Sequence, residues 1–175
     1  MTNQEIHDTQ ALSYHLGKEL KAHKLVLTTA ESCTGGGVAS AITDIAGSSA
    51  WFDRSFVTYS NQAKQTMIGV NLTTLDRFGA VSEETVMEMA SGALERSLAS
   101  VSIAISGIAG PEGGSADKPV GTVCFAWLIA QQWQYVETKH FSGDRAQVRS
   151  QAVYHALSVL HDHLIQQSQE INPQV

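Results

Sequence analysis

The sequence alternates between helix-like and strand-like segments, and this pattern constrains the fold more than any other feature of its 175 residues. Apolar residues spaced three and four positions apart indicate helices, and the short β-branched and apolar runs between them indicate strands. Alternation of this kind places helices against a central sheet. We therefore predict an α/β fold in which one layered domain takes up residues 1–175, with its core over about residues 5–167.

The apolar spacing and the capping residues predict the order of the elements. Helices are predicted over residues 5–23, 38–44, 60–68, 83–99 and 144–167, and strands over residues 25–29, 52–59, 101–106, 120–129 and 133–141. Ser82 and Asp144 are good N-caps, and the last two strands should pair as a hairpin. In the third helix we expect Ala63, Met67 and Ile68 to be buried. We expect the tail after residue 168 to fray.

Composition and charge argue against several classes of function. The net charge is −6 and the 11 Lys and Arg residues are scattered, which argues against nucleic-acid binding. The polar N-terminus lacks the apolar core of a signal peptide, and the longest apolar run, residues 123–130, is too short to span a membrane. Cys33 and Cys124 form no disulfide or metal motif. We expect a cytoplasmic protein that binds neither a membrane nor a metal.

The first candidate site is the segment TTAESCTGGG at residues 28–37, where a predicted strand turns into a glycine-rich helix start. Backbone N–H groups at such a start can hold an anion, or can stabilise the oxyanion that forms beside a nucleophile. Ser32 is the leading candidate for that nucleophile. Cys33 is a second candidate, because a thiol at a helix start can have a lowered pKa.

The second candidate is Lys64, in the segment YSNQAK at residues 59–64. Lysine has an ordinary pKa of about 10.4, and lowering it to about 7.5, where it can act as a base, requires about 4 kcal/mol. A lone helix lysine is usually solvated, but Lys64 follows Tyr59 and Ser60 and precedes apolar residues. Ser60 and Lys64 are four residues apart on one helix face, so a Ser60–Lys64 pair rivals a Ser32–Lys64 pair.

Two further segments could contact a ligand. The glycine-rich loop at residues 106–115, closed by residues 118–122, follows a buried strand, and ligands of open α/β sheets lie at the carboxyl ends of strands. Arg145, at the start of the last predicted helix, could clamp a phosphate, or could be a surface residue or a subunit contact. The run His161-Asp162-His163 looks like a metal site, but residues two apart on a helix point to different faces, so we interpret it as a solvated face.

Together these segments resemble one known family. TAESCTGG at residues 29–36, GSS at 47–49, VTYSN at 57–61 with Lys64, GAVS at 79–82, SGIAGP at 106–111 and KPVGT at 118–122 occur in this order. They are similar to the bacterial nicotinamide-nucleotide amidases, or NMN deamidases, the same family as the C-terminal domain of CinA-type competence/damage-inducible proteins. The resemblance covers about residues 12–160. The extra N-terminal domain of two-domain CinA proteins is not among these residues, so the resemblance is to the stand-alone amidases.

The resemblance implies a three-layer α/β/α sandwich and a Ser/Lys hydrolase. Such an enzyme converts nicotinamide mononucleotide (NMN) to nicotinic acid mononucleotide and ammonia through an acyl-enzyme, in pyridine nucleotide recycling. The resemblance implies that Ser32 is the nucleophile, Lys64 the general base and Tyr59 a relay or orienting hydroxyl, which favours Ser32 over Ser60. It also implies a homo-oligomer, a dimer or higher, and a reaction without a metal or organic cofactor.

We expect the substrate to contact the matched segments. N–H groups near Cys33, Thr34 or Gly35 would hold the oxyanion, and Arg145 with the two glycine-rich loops would hold the phosphate of NMN. The full set of expected binding residues is Cys33, Thr34, Gly35, Gly36, Ser48, Asn61, Ser106, Gly107, Ala109, Gly110, Thr122 and Arg145. Two alternatives stay open: a nucleotide-binding regulatory module without turnover, related to the competence/damage-inducible proteins, and an amidase for another small amide.

Overall fold

A computed structural model describes the backbone of residues 3–171 and the side chains of residues 8–170. In this part of the chain, five strands form one sheet in the order β2-β1-β3-β4-β5. The strands are β1 (Leu27–Glu31), β2 (Phe52–Val57), β3 (Val101–Gly107), β4 (Thr122–Ile129) and β5 (Trp133–His140). The helices are α1 (Asn3–Ala22), α2 (Gly37–Thr43), α3 (Asn61–Ile68), α4 (Leu72–Phe78), α5 (Glu83–Glu95) and α6 (Arg145–Ile171), with a 3₁₀ turn at Ser48–Ala50.

The sheet is mixed and is covered by helices on both faces. β1 pairs in parallel with β2 and β3, whereas β4 is antiparallel to both β3 and β5. Helices α1, α2 and α6 pack together on one face, and α5 covers the other face with α3 and α4 beside it. The predicted α/β fold, its α/β/α layers and the hairpin of β4 and β5 are confirmed.

Alternating side chains of the central strands contribute to two separate cores. On β4, Phe125 and Trp127 belong to the core under α1 and α6, whereas Cys124 and Ala126 belong to the core under α5. On β3, Ala104 likewise lies under α5. Successive residues of a strand point to opposite faces, so the small residues all meet α5 and allow that helix to pack close to the sheet.

The crossing of α3 and α5 depends on a glycine. A Cβ atom at Gly92 would overlap the carbonyl oxygen of Ile68, which lies at the end of α3. Any larger residue would therefore push the two helices apart. Because Gly92 permits this approach, α3 is held against the second face of the sheet, and α3 is the helix that carries Lys64.

Both predicted N-caps are confirmed. The Ser82 hydroxyl accepts a hydrogen bond from the N–H of Thr85 in the first turn of α5. At the start of α6, Asp144 Oδ1 accepts from the N–H of Gln147 at 2.9 Å, and Gln147 Oε1 accepts from the N–H of Asp144 at 2.8 Å. This reciprocal capping box fixes where α6 begins, and so fixes the direction in which its first residues point.

Some boundaries and buried positions differ from the predictions. Helix α5 ends at Glu95 rather than near residue 99, and α4 is absent from the predicted set. In α3, Met67 is 42% exposed, whereas Lys64 and Ile68 are buried, so the expected inner face was wrong in part. The reason is that α3 packs with Lys64 and Ile68, four residues apart on one helix face, turned inward. A pattern of hydrophobic residues does not identify a buried lysine.

The end of the chain also differs from the prediction. Helix α6 continues to Ile171, so fraying directly after residue 168 was wrong, and residues 172–175 lie outside the described part. His163 stacks on Trp133 with ring centroids 3.7 Å apart, so residues 161–163 are not simply a solvated face. The described residues hold no group of three or more side chains suited to a metal ion. Among them, no helix has the length and apolar character needed to cross a bilayer.

Candidate active site

The candidate site lies at the carboxyl ends of β1 and β3, where the chain changes sides of the sheet. The connection that follows β1 runs through α2 on one face, and the connection that leads into β3 runs through α3 to α5 on the other. Crevices at such switch points are the usual ligand sites of open α/β sheets. Ser32 directly follows β1, and the loop at residues 108–121 follows β3.

Ser32 is held in a tight turn. Its N–H donates to the carbonyl oxygen of Ile105 on β3 at 2.9 Å, and its own carbonyl oxygen accepts from the N–H of Gly35 at 3.0 Å. The residue is 8% exposed. Its hydroxyl therefore has a fixed position at the end of the strand, largely shielded from solvent.

Lys64 reaches Ser32 from the neighbouring connection. The carboxyl ends of the parallel strands β1 and β2 meet at one edge, and α3 begins just after β2. The Lys64 Nζ atom donates to Ser32 Oγ at 3.1 Å and to the carbonyl oxygen of Thr58 at 3.0 Å. The Ser60 hydroxyl instead accepts from the N–H of Ala63 as the cap of α3. The sequence allowed either Ser32 or Ser60 to pair with Lys64. In the structure, Ser32 is the serine that contacts the amine.

Lys64 is buried without a charged partner. It is 1% exposed, and it makes no ion pair with any residue that the structure describes. Burial lowers the pKa of Lys64 because the ammonium loses its hydration, and the nearby Cys33 opposes this effect. The surroundings therefore favour the neutral amine, which is the form that can accept a proton.

Glu31, the residue before the serine, organises the glycine segment from inside the protein. Its fully buried carboxylate accepts hydrogen bonds from the Thr34 hydroxyl at 2.7 Å and from the N–H groups of Gly36, Val38 and Ala39 at 2.9–3.1 Å. The first N–H groups of a helix need acceptors, and the positive end of the helix dipole favours an anion. Glu31 therefore serves as the cap that α2 lacks at Gly36.

These bonds leave few N–H groups free for a ligand. Gly35 donates to the carbonyl oxygen of Ser32, and Gly36 donates to Glu31. Their φ angles of +59° and +92° suit glycine and allow the tight turn. Among residues 8–170, the N–H groups of Cys33 and Thr34 donate to no other residue. Of the three N–H groups expected to hold an oxyanion, the structure leaves these two available.

Arg149 of α6 contacts the same segment from the opposite side. Its Nε donates to the carbonyl oxygen of Cys33 at 3.1 Å, and its Nη2 donates to that of Thr34 at 2.9 Å. Arg149 also lines a cleft of about 410 Å³ between α1, α2 and α6, shared with Ser40 and Asp44. Neither the serine nor the lysine lines this cleft, whereas Thr34 does.

Neither Glu31 nor Arg149 was predicted from the sequence. A signal for Glu31 exists, since an acidic residue stands shortly before a helix start whose own cap position is glycine. Arg149 lies one helical turn beyond Arg145, so the two arginines share a face of α6. That spacing is the only sequence signal that could have drawn attention to Arg149.

Arg145 and Tyr59 form a pair at the exposed rim. Arg145 Nη2 donates to the Tyr59 hydroxyl at 3.1 Å, and Nη1 donates to the carbonyl oxygen of Gly110 at 2.7 Å. Tyr59 is 62% exposed, and its hydroxyl bonds to Arg145 rather than to the serine or the lysine. The pair ties the loops after β2 and β3 to the start of α6, and Tyr59 directly follows Thr58, whose carbonyl oxygen accepts from Lys64.

Most of the other expected binding residues lie at the same edge of the sheet. They end β3, enter the loop after it, or begin β4 and α3: Ser106, Gly107, Ala109, Gly110, Thr122 and Asn61. The hydroxyl of Thr122 donates to the carbonyl oxygen of Pro119 at 2.6 Å, so it closes that loop. Ser48 is not brought to the site. It precedes β2, at the amino end of the sheet, because α2 returns the chain to that edge.

The environment of Cys33 does not suit a nucleophile. The residue is 6% exposed and packs in the core under α6, and burial raises the pKa of its thiol to about 12. Helix α2 begins four residues later, at Gly37, and its first N–H groups are directed to the Glu31 carboxylate. The expectation of a lowered thiol pKa at Cys33 was therefore wrong.

Comparison with known proteins places this geometry in a family. Residues 9–164 match the model of the CinA C-terminal domain. The chain is 55% identical over 166 residues to nicotinamide-nucleotide amidohydrolase PncC from Escherichia coli strain K12, covering 95% of this chain and 99% of that protein. It is 48% identical over 149 residues to the PncC of Pseudomonas putida, covering 85% of this chain and 92% of that protein.

Solved structures show the same fold. The competence/damage inducible protein CihA from Agrobacterium tumefaciens superposes with a TM-score of 0.85 at 45% identity, covering 87% of this chain and 93% of that one. A CinA superfamily protein from Klebsiella pneumoniae 700603 superposes with a TM-score of 0.86 at 42% identity, covering 90% of this chain and 98% of that one. The chain therefore belongs to the CinA C-terminal domain family.

Proposed function

We propose that this protein hydrolyses the carboxamide of NMN to nicotinic acid mononucleotide and ammonia, with Ser32 as nucleophile and Lys64 as general base. The observation that carries the proposal is the 3.1 Å hydrogen bond between the Lys64 amine, which is buried without an ion-pair partner, and the Ser32 hydroxyl at the end of β1. The substrate is inferred from relatives named nicotinamide-nucleotide amidohydrolase, at 55% identity over 95% of this chain.

The first step is proton transfer from the hydroxyl to the amine. A neutral amine has two N–H donors and one lone pair, and one donor of Lys64 is directed to the carbonyl oxygen of Thr58. With that donor engaged, the lone pair of the neutral amine can face the hydroxyl of Ser32, which lies 3.1 Å away. As the proton moves to Nζ, Ser32 Oγ attacks the carboxamide carbon and forms a tetrahedral adduct.

The adduct collapses to an acyl-enzyme with loss of ammonia. We assign its oxyanion to the N–H groups of Cys33 and Thr34, which have no other acceptor among residues 8–170; each such donor is worth about 3–4 kcal/mol. The Lys64 ammonium then protonates the departing nitrogen and becomes neutral again. Water attacks the acyl-enzyme with Lys64 as base, which releases nicotinic acid mononucleotide and restores Ser32.

The rim provides the contacts for the rest of the nucleotide. Three of the five N–H donors of Arg145 stay available after its bonds to Tyr59 and Gly110, enough for a bidentate contact with phosphate. The pyridinium charge of bound NMN would disfavour a second positive charge on Lys64, and so would lower the pKa of Lys64 further. Cytoplasmic location, homo-oligomeric assembly and a role in pyridine nucleotide recycling stay predictions.

The decisive experiment measures ammonia release from NMN. Ser32→Ala and Lys64→Ala should each lower kcat by about 10³-fold or more, because the nucleophile and its base act as a unit. Ser60→Ala is the matched control. It removes only the cap of α3, so it should cost about 1 kcal/mol of stability and leave most of the activity.

Other outcomes would identify the alternatives. If NMN binds without turnover and the Ser32→Ala variant binds it equally well, the protein is a nucleotide-binding module. If a simple amide is hydrolysed faster than NMN, the substrate assignment is wrong. If Ser60→Ala abolishes turnover while Ser32→Ala does not, the nucleophile is misassigned.

The pH dependence gives a second test. Only the neutral amine can take the proton, so kcat/KM should rise with pH through the lowered pKa of Lys64. The midpoint of the rise should lie below the ordinary lysine pKa of about 10.4. A pH–rate profile of kcat/KM measures this directly. A rate that falls as pH rises through neutrality would contradict the assignment of Lys64 as base.

A further inference from the structure

We infer that Arg149 is the positioning residue of the oxyanion site: it fixes the peptide between Cys33 and Thr34 so that the Thr34 N–H stays directed away from α6 and available beside Ser32. This inference rests on the proposed function. Arg149 hydrogen-bonds to neither Ser32 nor Lys64. It acts through the backbone of Cys33 and Thr34, whose carbonyl oxygens it binds.

The geometry of a trans peptide carries the argument. The C=O of one residue and the N–H of the next lie in one plane and point in opposite directions. Arg149 Nε holds the carbonyl oxygen of Cys33 at 3.1 Å, so it sets the direction of the Thr34 N–H. Its Nη2 holds the carbonyl oxygen of Thr34 at 2.9 Å, which fixes the next peptide as well. A planar guanidinium holds two consecutive carbonyl groups with donors on different nitrogens in a fixed geometry, whereas the donors of an ammonium rotate about a single nitrogen.

No other group replaces this contact at the first of the two peptides. The carbonyl oxygen of Thr34 also accepts from the N–H of Gly37, but Arg149 is the only donor to the carbonyl oxygen of Cys33 in the described part of the chain. Gly35, which follows, has a φ of +59° and can adjust when the peptides before it rearrange. Without Arg149 the Cys33–Thr34 peptide can flip, which would turn a carbonyl oxygen to the place where an N–H is required.

The position of Arg149 is itself fixed by close packing of α6 on α2. A Cβ atom at Gly37 would lie 2.9 Å from Val153 Cγ2, so glycine at this position lets α6 approach. Val153 is one helical turn beyond Arg149 on the same face of α6. The third glycine of the segment thus serves to bring the guanidinium to the two carbonyl groups.

The cleft behind Arg149 allows a specific test, because a space of about 410 Å³ can admit a free guanidinium ion. In Arg149→Ala, kcat for ammonia release from NMN should fall by at least about tenfold while KM changes by less than about threefold. Added millimolar guanidinium should restore part of the lost kcat. Arg149→Lys should give an intermediate kcat that does not respond to guanidinium.

Arg54→Ala is the matched control. Arg54 is an exposed arginine on β2 that bonds to Asp53, so its removal should leave kcat and the guanidinium response unchanged. Thermal unfolding of each variant shows whether it is folded. If Arg149→Ala does not fold, the comparison of Arg149→Lys with the original protein decides, since lysine keeps the charge and the aliphatic stem. An unchanged kcat, or a rise in KM alone, would overturn the inference.

A second measurement separates this inference from the proposed substrate. The rate at which a fluorophosphonate labels Ser32 depends on the same oxyanion donors, and mass spectrometry of the labelled peptide measures it without NMN. If the original protein is labelled but releases no ammonia from NMN, and Arg149→Ala is labelled at least about tenfold more slowly, the substrate is wrong and the role of Arg149 holds. If neither reaction occurs, the proposed function and this inference both fail.

Discussion

Lys64 and Cys33 lie beside the same serine, and burial has opposite chemical consequences for them. Removal of water disfavours the charged form of any group. For the amine this lowers the pKa and leaves a base, whereas for the thiol it raises the pKa to about 12 and suppresses the thiolate. One desolvated environment therefore makes the lysine usable in proton transfer and keeps the neighbouring cysteine inert.

The inertness of Cys33 can be measured. A pKa of about 12, against about 8.5 for a free thiol, lowers the thiolate fraction at neutral pH by about 10³-fold. Iodoacetamide at neutral pH should therefore modify Cys33 in the native protein at least about 10³-fold more slowly than in the urea-unfolded chain, with ammonia release intact. Mass spectrometry of the peptide provides the rates. Fast native labelling of Cys33 that parallels loss of activity would restore the thiol as a nucleophile.

At the residue level, the sequence identifies functional residues whose neighbours along the chain are unusual for their type. Ser32 is recognisable from the glycines that follow it, and Lys64 from its polar and apolar neighbours. Glu31 and Arg149 were not found, because their roles depend on where α2 and α6 return in space. Neither the role of Glu31 as a buried acceptor nor that of Arg149 as a donor from a remote helix is evident from the residues next to it in the sequence.

At the level of elements, β1, the turn and α2 form one unit with Glu31 at its centre. Helix α2 has seven residues and no side-chain cap of its own at Gly36. Its N–H groups depend on a carboxylate that belongs to the preceding strand. A change at Glu31 should therefore affect the strand exit, the glycine turn and the helix together.

Replacing Glu31 with Gln tests this dependence. The new amide NH₂ would face N–H donors that need an acceptor, so the free energy of unfolding should fall by about 1–3 kcal/mol. Urea denaturation measures it, and ammonia release should fall as well. Glu84→Gln is the matched control, because Glu84 is an exposed carboxylate in the first turn of α5 and its loss should cost under about 1 kcal/mol. Equal stabilities of the two variants would contradict the role of Glu31.

The order of motifs along the chain does not reveal which edge of the sheet each one reaches. Ser48 lies in one of the matched segments, yet its 3₁₀ turn stands at the amino end of β2. The hairpin of β4 and β5 was predictable because its two strands are separated by a short turn. The central place of β1 between β2 and β3 was not, since strand order depends on crossovers that local periodicity does not encode.

For the whole molecule, the buried amine of Lys64 is a source of instability. Its pKa is lowered in the folded protein and ordinary in the unfolded chain, so the unfolded chain binds more protons between the two values. The free energy of unfolding therefore rises with pH through that window, up to about pH 10.4. Below the window the folded protein holds an ammonium without an anionic partner.

Lys64→Met should separate stability from activity. Methionine keeps an apolar stem of similar length without the charge, so at neutral pH the variant should unfold at a higher urea concentration than the original protein while releasing no ammonia. The gain should shrink as pH rises towards about 10.4 and be lost above it, where the lysine becomes neutral in both states. Lys21→Met, at an exposed position of α1, should show no such pH dependence. A variant that is less stable at neutral pH would contradict the account.

The contact between Arg149 and Cys33 joins residues 116 positions apart. On the ribosome, the serine and the lysine emerge while α6 has still to be made. The oxyanion donors are set only after residue 149 has left the exit tunnel and its helix has docked. A growing chain thus lacks the contact that fixes these donors until translation has passed α6, and a product truncated before that point should release ammonia at least about tenfold more slowly than the whole chain.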